Sequence, residues 1–177
     1  MATGGKDATI NVYSVDGGKI TTLKGHSASI CSLALINDPV DGLLLASGSD
    51  HGCSSLAVWS TNTWNMRMKV QAHTAAVTSI VDMCDGQTVV SGSYDKQINI
   101  YDLRRNSLLY NLPNNKASVT GIVLNSSRSK MVSCGLDSCL YVWAVARRPD
   151  VRFVPRRRKW SRSRSSAPSR TMPWSAR

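Results

Sequence analysis

The chain has 177 residues and a formal net charge of +11, but nearly all of the excess positive charge lies in one segment. Residues 1–145 carry 11 Lys and Arg against 10 Asp, whereas residues 146–177 carry 11 Lys and Arg against a single Asp. The chain has five cysteines and no Cys-x-x-Cys pair, which argues against a secreted disulfide scaffold. No apolar run approaches the ~18 residues that a membrane span needs. We therefore expect an intracellular protein.

The first predicted element is a short strand at 1–5, and it opens a pattern that is written four times. Each copy runs from short apolar residues through Ser or Thr to a turn with an acidic residue, and then to an aromatic: MATGGKDATINVYSV (1–15), LASGSDHGCSSLAVWS (45–60), VVSGSYDKQINIYDL (89–103) and MVSCGLDSCLYVWAV (131–145). The closing aromatics lie 46, 42 and 42 residues apart: Tyr13, Trp59, Tyr101 and Trp143. A period of this length predicts an array of small repeated units.

Within a period, the pattern predicts four short antiparallel strands. Apolar and polar residues alternate along 77–81 and 98–101, and Asp-Gly pairs at 41–42 and 85–86 are typical of the turns between strands. In chain order we expect an incomplete first unit, two complete units whose first strands lie near 29–35 and 77–81, and a last unit with strands at 119–124, 130–134 and 140–145. This prediction amounts to 14 strands and no helix.

A second motif precedes these segments: LKGHSASICSLAL (23–35) and VQAHTAAVTSIVD (70–82) place His26 and His73 47 residues apart, and a third copy has Asn115 at the corresponding position. With Gly25-His26 and Tyr101-Asp102, residues 1–145 resemble the WD-repeat family of β-propellers. The resemblance implies an all-β, partial propeller of three to four four-stranded antiparallel blades. The repeats would end near Val15, Ser60, Leu103 and Val145.

In that family, a histidine, a strand Ser or Thr, a turn Asp and the aromatic form a hydrogen-bonded chain inside a blade. An unpaired buried His or Asp costs on the order of 1–3 kcal/mol, which explains why such residues satisfy one another. The resemblance assigns this structural role to three sets: His26, Ser47, Asp50 and Trp59; His73, Ser91, Asp95 and Tyr101; Ser133, Asp137 and Trp143. The turn after Ser47 is two residues longer than the others, so either Asp50 or His51 could face the first network.

In the family's strand order a, b, c, d, the first predicted strand is a strand b and the last is a strand c. The first blade would then lack its inner strand and the last its outer strand, while propellers close with about four to eight blades. Three interpretations stay open: a fragment or shortened product of a longer WD-repeat protein, an arc completed by another chain or by a second copy, and a self-sufficient small domain.

Residues 146–177 form a basic Arg/Ser/Pro-rich tail, which we predict to be disordered and distinct from the 1–145 propeller domain. One cluster resembles a nuclear-import signal: Arg156, Arg157, Arg158 and Lys159. The same cluster, with Trp160 and Trp174, could bind nucleic acid through phosphate neutralisation and base stacking. The segment SRSRSS (161–166) resembles the Arg-Ser segments of RNA-processing proteins. The alternatives are a solvated extension or sequence read out of frame.

The sequence lacks the spacings of a zinc site, a phosphate-binding loop or a nucleophile–base pair, so it predicts no enzyme, metal or cofactor. The resemblance implies a non-catalytic protein-interaction scaffold, within a larger assembly, whose partners dock on the face formed by the d–a and b–c loops or on the blade rims. There, four residues are candidate contacts: Tyr94, Lys96, Lys116 and Leu136.

Two alternatives for the function stay open: a nuclear RNA- or DNA-associated protein that binds through its tail, and the substrate-recognition part of a multidomain enzyme such as a ubiquitin ligase. The expected partners are other proteins, including a chain that completes the propeller, with nucleic acid possible through the tail and no membrane. We expect a cytoplasmic location, or a nuclear one if the basic cluster acts as an import signal.

Overall fold

A computed structural model describes residues 1–112, 116–145 and 155–156, and the regular structure of these residues is entirely β. The strands are β1 (Ala2–Gly4), β2 (Thr9–Tyr13), β3 (Lys19–Lys24), β4 (Ile30–Asp38), β5 (Gly42–Ser49), β6 (Ser55–Ser60), β7 (Met66–Gln71), β8 (Val77–Asp82), β9 (Thr88–Ser93), β10 (Ile98–Asp102), β11 (Ser107–Leu112), β12 (Val119–Leu124), β13 (Lys130–Gly135), β14 (Leu140–Ala144) and β15 (Pro155–Arg156). In this part of the chain, no helix is long and apolar enough to cross a membrane.

The strands form four antiparallel sheets, which we call blades 1 to 4: β1–β3, β4–β7, β8–β11 and β12–β15. Within each blade, every strand pairs with the next one along the chain. Contacts between β1 and β4, between β4 and β8, and between β8 and β12 place the first strands of successive blades side by side. The predicted all-β, partial propeller is thus confirmed.

Blade 4 departs from the prediction at its outer edge. β15 pairs antiparallel with β14, with Val142 opposite Arg156 and Trp143 opposite Pro155, so a two-residue strand occupies the position that we expected to be empty. Its sequence shows no apolar alternation, and the pairing is made by backbone groups at the open edge of β14, which is why the pattern did not reveal it. The prediction of disorder for the rest of 146–177 lies outside the described residues, as does Asn115.

Three apolar clusters hold the blades together, and each cluster lies between two successive blades. The blade 1–2 cluster contains Ile10, Val12, Leu23, Leu45, Ala57 and Trp59. The blade 2–3 cluster contains Ile36, Leu44, Ala46, Leu56, Val58, Met68, Ala72, Val77, Ile80, Val89 and Tyr101. The blade 3–4 cluster contains Met83, Val90, Ile98, Ile100, Leu112, Val119, Ile122, Met131 and Trp143. Because each large buried side chain contributes roughly 1.5–3 kcal/mol, packing between successive blades stabilises the fold substantially.

A glycine in strand b allows the close approach of the next blade. A Cβ on Gly48 would lie 2.7 Å from Cγ1 of Val77, and a Cβ on Gly92 would lie 2.8 Å from Cγ1 of Val119. Both valines begin the inner strand of the following blade. In blade 4 the residue equivalent to Gly48 and Gly92 is Cys134, which pairs with Gly121 of β12. The glycine of this pair therefore lies on the inner strand of blade 4 and not on strand b. Close packing between blades therefore explains why the Ser-Gly-Ser segments of β5 and β9 have glycine at their central position.

Candidate functional site

Blade 3 contains a buried chain of hydrogen bonds that begins at His73. Nδ1 of His73 lies 2.9 Å from Oδ2 of Asp95, and Nε2 lies 2.8 Å from Oγ of Ser91. Since the carboxylate only accepts, Nδ1 carries the proton and the Ser91 hydroxyl donates to Nε2. Tyr101 does not join this chain: its hydroxyl donates to the carbonyl of Ala72 over 3.1 Å. Assigning Tyr101 to the chain was therefore wrong, because its phenol hydrogen-bonds the backbone rather than Ser91.

In blade 2 the same kind of chain uses a different partner. Nε2 of His26 lies 2.7 Å from Oγ of Ser47, which also accepts the indole N–H of Trp59 over 2.9 Å. Nδ1 of His26 lies 2.8 Å from Oγ of Ser55. Asp50 takes no part: its carboxylate accepts the backbone N–H of His51 within its own turn. The assignment of Asp50 was wrong because the longer turn moves this carboxylate away from the histidine.

Cys53 stands where the turn acid would be when residues are counted back from the aromatic, six positions before Trp59. Its Sγ lies 3.0 Å from Oγ of Ser55, the hydroxyl that also contacts His26. Partial burial raises the pKa of the Cys53 thiol, but hydrogen bonds from surrounding serine side chains lower it to about 5. A side chain whose acidity is increased by its hydrogen-bond donors thus occupies the position of the turn acid.

Blade 4 has a shorter arrangement. The indole N–H of Trp143 donates to Oγ of Ser133 over 2.9 Å. Oδ2 of Asp137 accepts the hydroxyl proton of Tyr141 over 2.5 Å, and Oδ1 accepts the backbone N–H of Cys139 over 3.1 Å. Ser133 and Asp137 therefore belong to two separate pairs, and Tyr141 takes the donor role that His73 has in blade 3.

The three networks have the properties of structural elements. Burial lowers the pKa of both His26 and His73, so the folded protein holds these rings neutral. Within the described residues, every buried side-chain nitrogen or oxygen has a hydrogen-bond partner, and no three His, Cys, Asp or Glu side chains are placed to hold a metal ion. In blades 2 to 4, these hydrogen bonds connect residues of the turns with residues of the neighbouring strands.

Two exposed apolar side chains lie on the b–c turns of blades 3 and 4, on either side of one loop residue. Tyr94 is 50% exposed and Leu136 is 69% exposed. The hydroxyl of Ser118, in the loop between blades, donates to the carbonyl of Tyr94 over 2.9 Å, and the carbonyl of Ser118 accepts the N–H of Leu136 over 3.0 Å. The backbones of both turns are thus fixed to the same residue, and the two turns are neighbours.

Two lysines flank these apolar residues. Lys96 follows Tyr94 in the same turn, and Lys116 lies two residues before Ser118; both are exposed. Asp95, between Tyr94 and Lys96, accepts a hydrogen bond from His73, and Asp137, next to Leu136, accepts one from Tyr141. We call the surface formed by Tyr94, Lys96, Lys116 and Leu136 the loop patch; it presents apolar contacts with positive charge at its margins.

Sequence reasoning missed Ser55, Tyr141 and Ser118. Ser55 and Tyr141 lie close to the aromatics that were used as landmarks, four residues before Trp59 and two before Trp143. A comparison of the four repeats would have marked both as polar or aromatic side chains inside a strand. Ser118 offered no such signal, because its role depends on the neighbouring blade.

Comparison with known proteins agrees with this architecture. The family model described as WD domain, G-beta repeat matches three segments: 17–60, 64–102 and 106–144. The chain is 27% identical over 153 residues to the U5 small nuclear ribonucleoprotein 40 kDa protein of Dictyostelium discoideum, covering 85% of the chain and 41% of that protein. It is 26% identical over 152 residues to the COMPASS component SWD3 of Saccharomyces cerevisiae, covering 81% and 47%. It is 28% identical over 157 residues to Transducin beta-like protein 3 of Bos taurus, covering 82% and 19%.

The chain therefore spans less than half the length of these curated relatives. The three matched segments end at 60, 102 and 144, close to the repeat endings that the closing aromatics predicted. Together with four blades of antiparallel strands in sequence order, they identify the chain as a member of the WD-repeat family.

Proposed function

We propose that this protein is a non-catalytic interaction scaffold that docks a protein partner through the loop patch. The observation that carries the proposal is that Tyr94 and Leu136 both have exposed side chains while the backbone of each is hydrogen-bonded to Ser118. The similarity to components of a ribonucleoprotein and of COMPASS supports a role inside a larger assembly.

Preorganisation is what makes this surface suited to binding. A partner that covers a flexible loop must order its backbone, at a cost of roughly 1–2 kcal/mol for each residue fixed. The turns that carry Tyr94 and Leu136 are already held by hydrogen bonds to Ser118 and, for Tyr94, by its own N–H to the carbonyl of Ala76 at 3.1 Å. Binding would therefore retain most of the energy gained by burying the aromatic and the aliphatic side chain.

The most direct test is site-specific photo-crosslinking with a benzoylphenylalanine residue in place of Tyr94. We expect a discrete crosslinked partner in cells, identified by mass spectrometry. The matched control has the same residue in place of Val40, which is 74% exposed on the a–b turn at the opposite end of blade 2. Crosslinking that is equal at the two positions would contradict the proposal.

A second test measures the contribution of the patch to affinity for the partner so identified. The double variant Tyr94→Ser and Leu136→Ser should weaken binding at least about tenfold, since hot-spot truncations cost about 2 kcal/mol or more. Both side chains are exposed, so the variant should keep the urea midpoint of the wild-type protein. Unchanged affinity in a folded variant would show that the partner binds elsewhere.

A second candidate function is binding of RNA or DNA through residues 146–177, in a nuclear location. It is favoured by the 11 Lys and Arg against one Asp in this segment and by the similarity to a small nuclear ribonucleoprotein component. Binding of a single-stranded RNA should fall steeply between 50 and 200 mM salt, the range over which phosphate contacts weaken. Deletion of 146–177 should abolish it; retention of binding after the deletion would refute this candidate.

A further inference from the structure

The turn between strands b and c carries a carboxylate at the same position in three of the four blades. Asp7, Asp95 and Asp137 each lie six residues before the closing aromatic of their blade. Through Oδ1, each accepts the backbone N–H of the residue two positions further on, over 3.2, 2.9 and 3.1 Å respectively. These blades thus share a place for an oxygen acceptor where strand c begins.

Blade 2 has Cys53 at this position, six residues before Trp59. The backbone N–H of Ser55, which corresponds to that of Gln97 in blade 3, donates to Oγ of Ser49 over 2.9 Å. Because thiol sulfur is a weak acceptor, the cysteine does not replace the carboxylate in this hydrogen bond. Blade 2 therefore differs from the other three blades in the acceptor that this N–H uses.

The donors that serve the carboxylate of blade 3 have counterparts in blade 2. In blade 3, Oδ2 of Asp95 accepts from Nδ1 of His73 at 2.9 Å and from the N–H of Thr74 at 3.1 Å. The corresponding residues of blade 2 are His26 and Ser27, and both hydrogen-bond the cysteine side chain. The donors that surround a carboxylate in blade 3 thus surround a sulfur atom in blade 2.

Serine side chains complete the surroundings of this sulfur. Oγ of Ser55 lies 3.0 Å from Sγ of Cys53, and the side chains of Ser27 and Ser49 also hydrogen-bond it. Partial burial disfavours the thiolate, but these hydrogen bonds lower the pKa of the Cys53 thiol to about 5, and the thiolate is the form that reacts with peroxides. Cys53 is half-buried, and a Cβ on the preceding Gly52 would meet no atom within 4 Å, so a small oxidant can reach the sulfur.

We propose that Cys53 is a site of oxidation by hydrogen peroxide, and that its sulfinate product completes the blade 2 network as the turn aspartates do in the other blades. In the first step, the sulfur attacks one oxygen of the peroxide. An S–O bond forms, the O–O bond breaks and hydroxide leaves, so the sulfur is oxidised by two electrons and the peroxide is reduced. A second peroxide molecule supplies the second oxygen in the same way, and the sulfinic acid loses its proton.

A sulfinate resembles a carboxylate in the properties that this position requires. It carries one negative charge on two oxygens, and it only accepts hydrogen bonds. One oxygen would accept from Nδ1 of His26 and from the N–H of Ser27, as Oδ2 of Asp95 does from its own partners. Oxidation therefore strengthens the hydrogen bonds of blade 2, whereas the same charge in an apolar core would be left unpaired.

The test treats the full chain with hydrogen peroxide and follows each cysteine by peptide mass spectrometry. Cys84 is the matched site, since it is also half-buried, but burial and the neighbouring Asp82 carboxylate raise the pKa of its thiol. We expect Cys53 to gain one oxygen atom and then two, at least about ten times faster than Cys84. The loop patch plays no part in this reaction, so loss of the proposed partner binding would leave the result unchanged.

The urea midpoint distinguishes this site from oxidative damage. After oxidation of the wild type the midpoint should rise by about 0.5 M, because a charged acceptor replaces the thiol. The midpoint of Cys53→Ser should not rise after the same treatment, and this variant reports the effect of peroxide on the methionines and the other cysteines. Cys53→Asp places a carboxylate in the turn without an oxidant, and its midpoint should exceed that of the untreated wild type.

NMR spectra of the protein with isotope-labelled histidines provide a local measurement. Oxidation should shift the Nδ1 signal of His26 and leave that of His73 unchanged. Each of three results would overturn the proposal: oxidation of Cys84 as fast as that of Cys53, a midpoint that falls on oxidation in the wild type but not in Cys53→Ser, or a midpoint of Cys53→Asp below that of the untreated wild type.

Discussion

The substitution Asp95→Ala gives the sharpest test of how the blades are stabilised. The carboxylate of Asp95 accepts three hydrogen bonds: from Nδ1 of His73 at 2.9 Å, from the N–H of Thr74 at 3.1 Å and from the N–H of Gln97 at 2.9 Å. The side chains of His73 and Asp95 are 0% and 5% exposed. Removing the carboxylate therefore leaves a buried ring N–H without an acceptor, and water has little access to replace it.

The magnitude follows from these contacts. A hydrogen bond to a charged group contributes about 1.5–3 kcal/mol, and leaving its buried partner unsatisfied costs about 1–3 kcal/mol. The N–H groups of Thr74 and Gln97 lie outside the strands and can be hydrated after the substitution, so the loss of their hydrogen bonds adds little to the cost. We expect a loss of about 3 kcal/mol in the free energy of unfolding. With a urea m-value of about 2 kcal/mol/M, the midpoint should fall by about 1.5 M.

The matched control is Asp137→Ala, at the equivalent turn position of blade 4. Asp137 accepts from the hydroxyl of Tyr141 and from the N–H of Cys139, and it is only half-buried. Its loss should cost about 1 kcal/mol, because water can replace it. Unfolding is followed by the change in tryptophan fluorescence as Trp59 and Trp143, which are 3% and 2% exposed, become accessible to solvent. Equal midpoint shifts for the two variants would refute the reasoning that the buried histidine sets the cost.

Three further outcomes are expected. Because burial lowers the pKa of His26 and His73, the unfolded chain binds protons at a higher pH than the folded protein does. The urea midpoint should therefore be highest above about pH 6.5 and should decrease as the pH falls toward about 5. A midpoint that does not change with pH would contradict this expectation. Gly92→Ala would place a Cβ within 2.8 Å of two side chains of β12 and should cost about 1–3 kcal/mol in the same assay, whereas Cys134→Ala should cost less, and the reverse order would argue against close packing between blades. Trp59→Phe keeps an aromatic side chain but removes the 2.9 Å donor to Ser47 and part of the buried ring volume, so the free energy of unfolding should fall by more than about 1 kcal/mol; no loss would show that neither the hydrogen bond nor the packing of the indole contributes.

The sequence by itself determined the period, the strands and the order of the blades. These properties depend on local features that the chain repeats: two-residue apolar alternation, Asp-Gly turns and one aromatic at the end of each unit. The resemblance to the family, together with regular spacing, also placed His73, Ser91 and Asp95 of blade 3 in one network, and their side chains do meet. The exposure of Tyr94 and Leu136 was also predictable, because residues after a strand end lie at a predictable place in a repeated fold.

Only the tertiary structure decided which partners meet. Asp50 and Tyr101 match the motif in the sequence, but a longer turn displaces the first and a phenol in place of an indole redirects the second to a backbone carbonyl. Ser55 replaces Asp50 because distance in space, rather than spacing in the chain, determines what a histidine can reach. The pairing of β15 likewise arises where one strand edge meets another. Contacts between units that are about 42 residues apart are not encoded in the local pattern that identifies each unit.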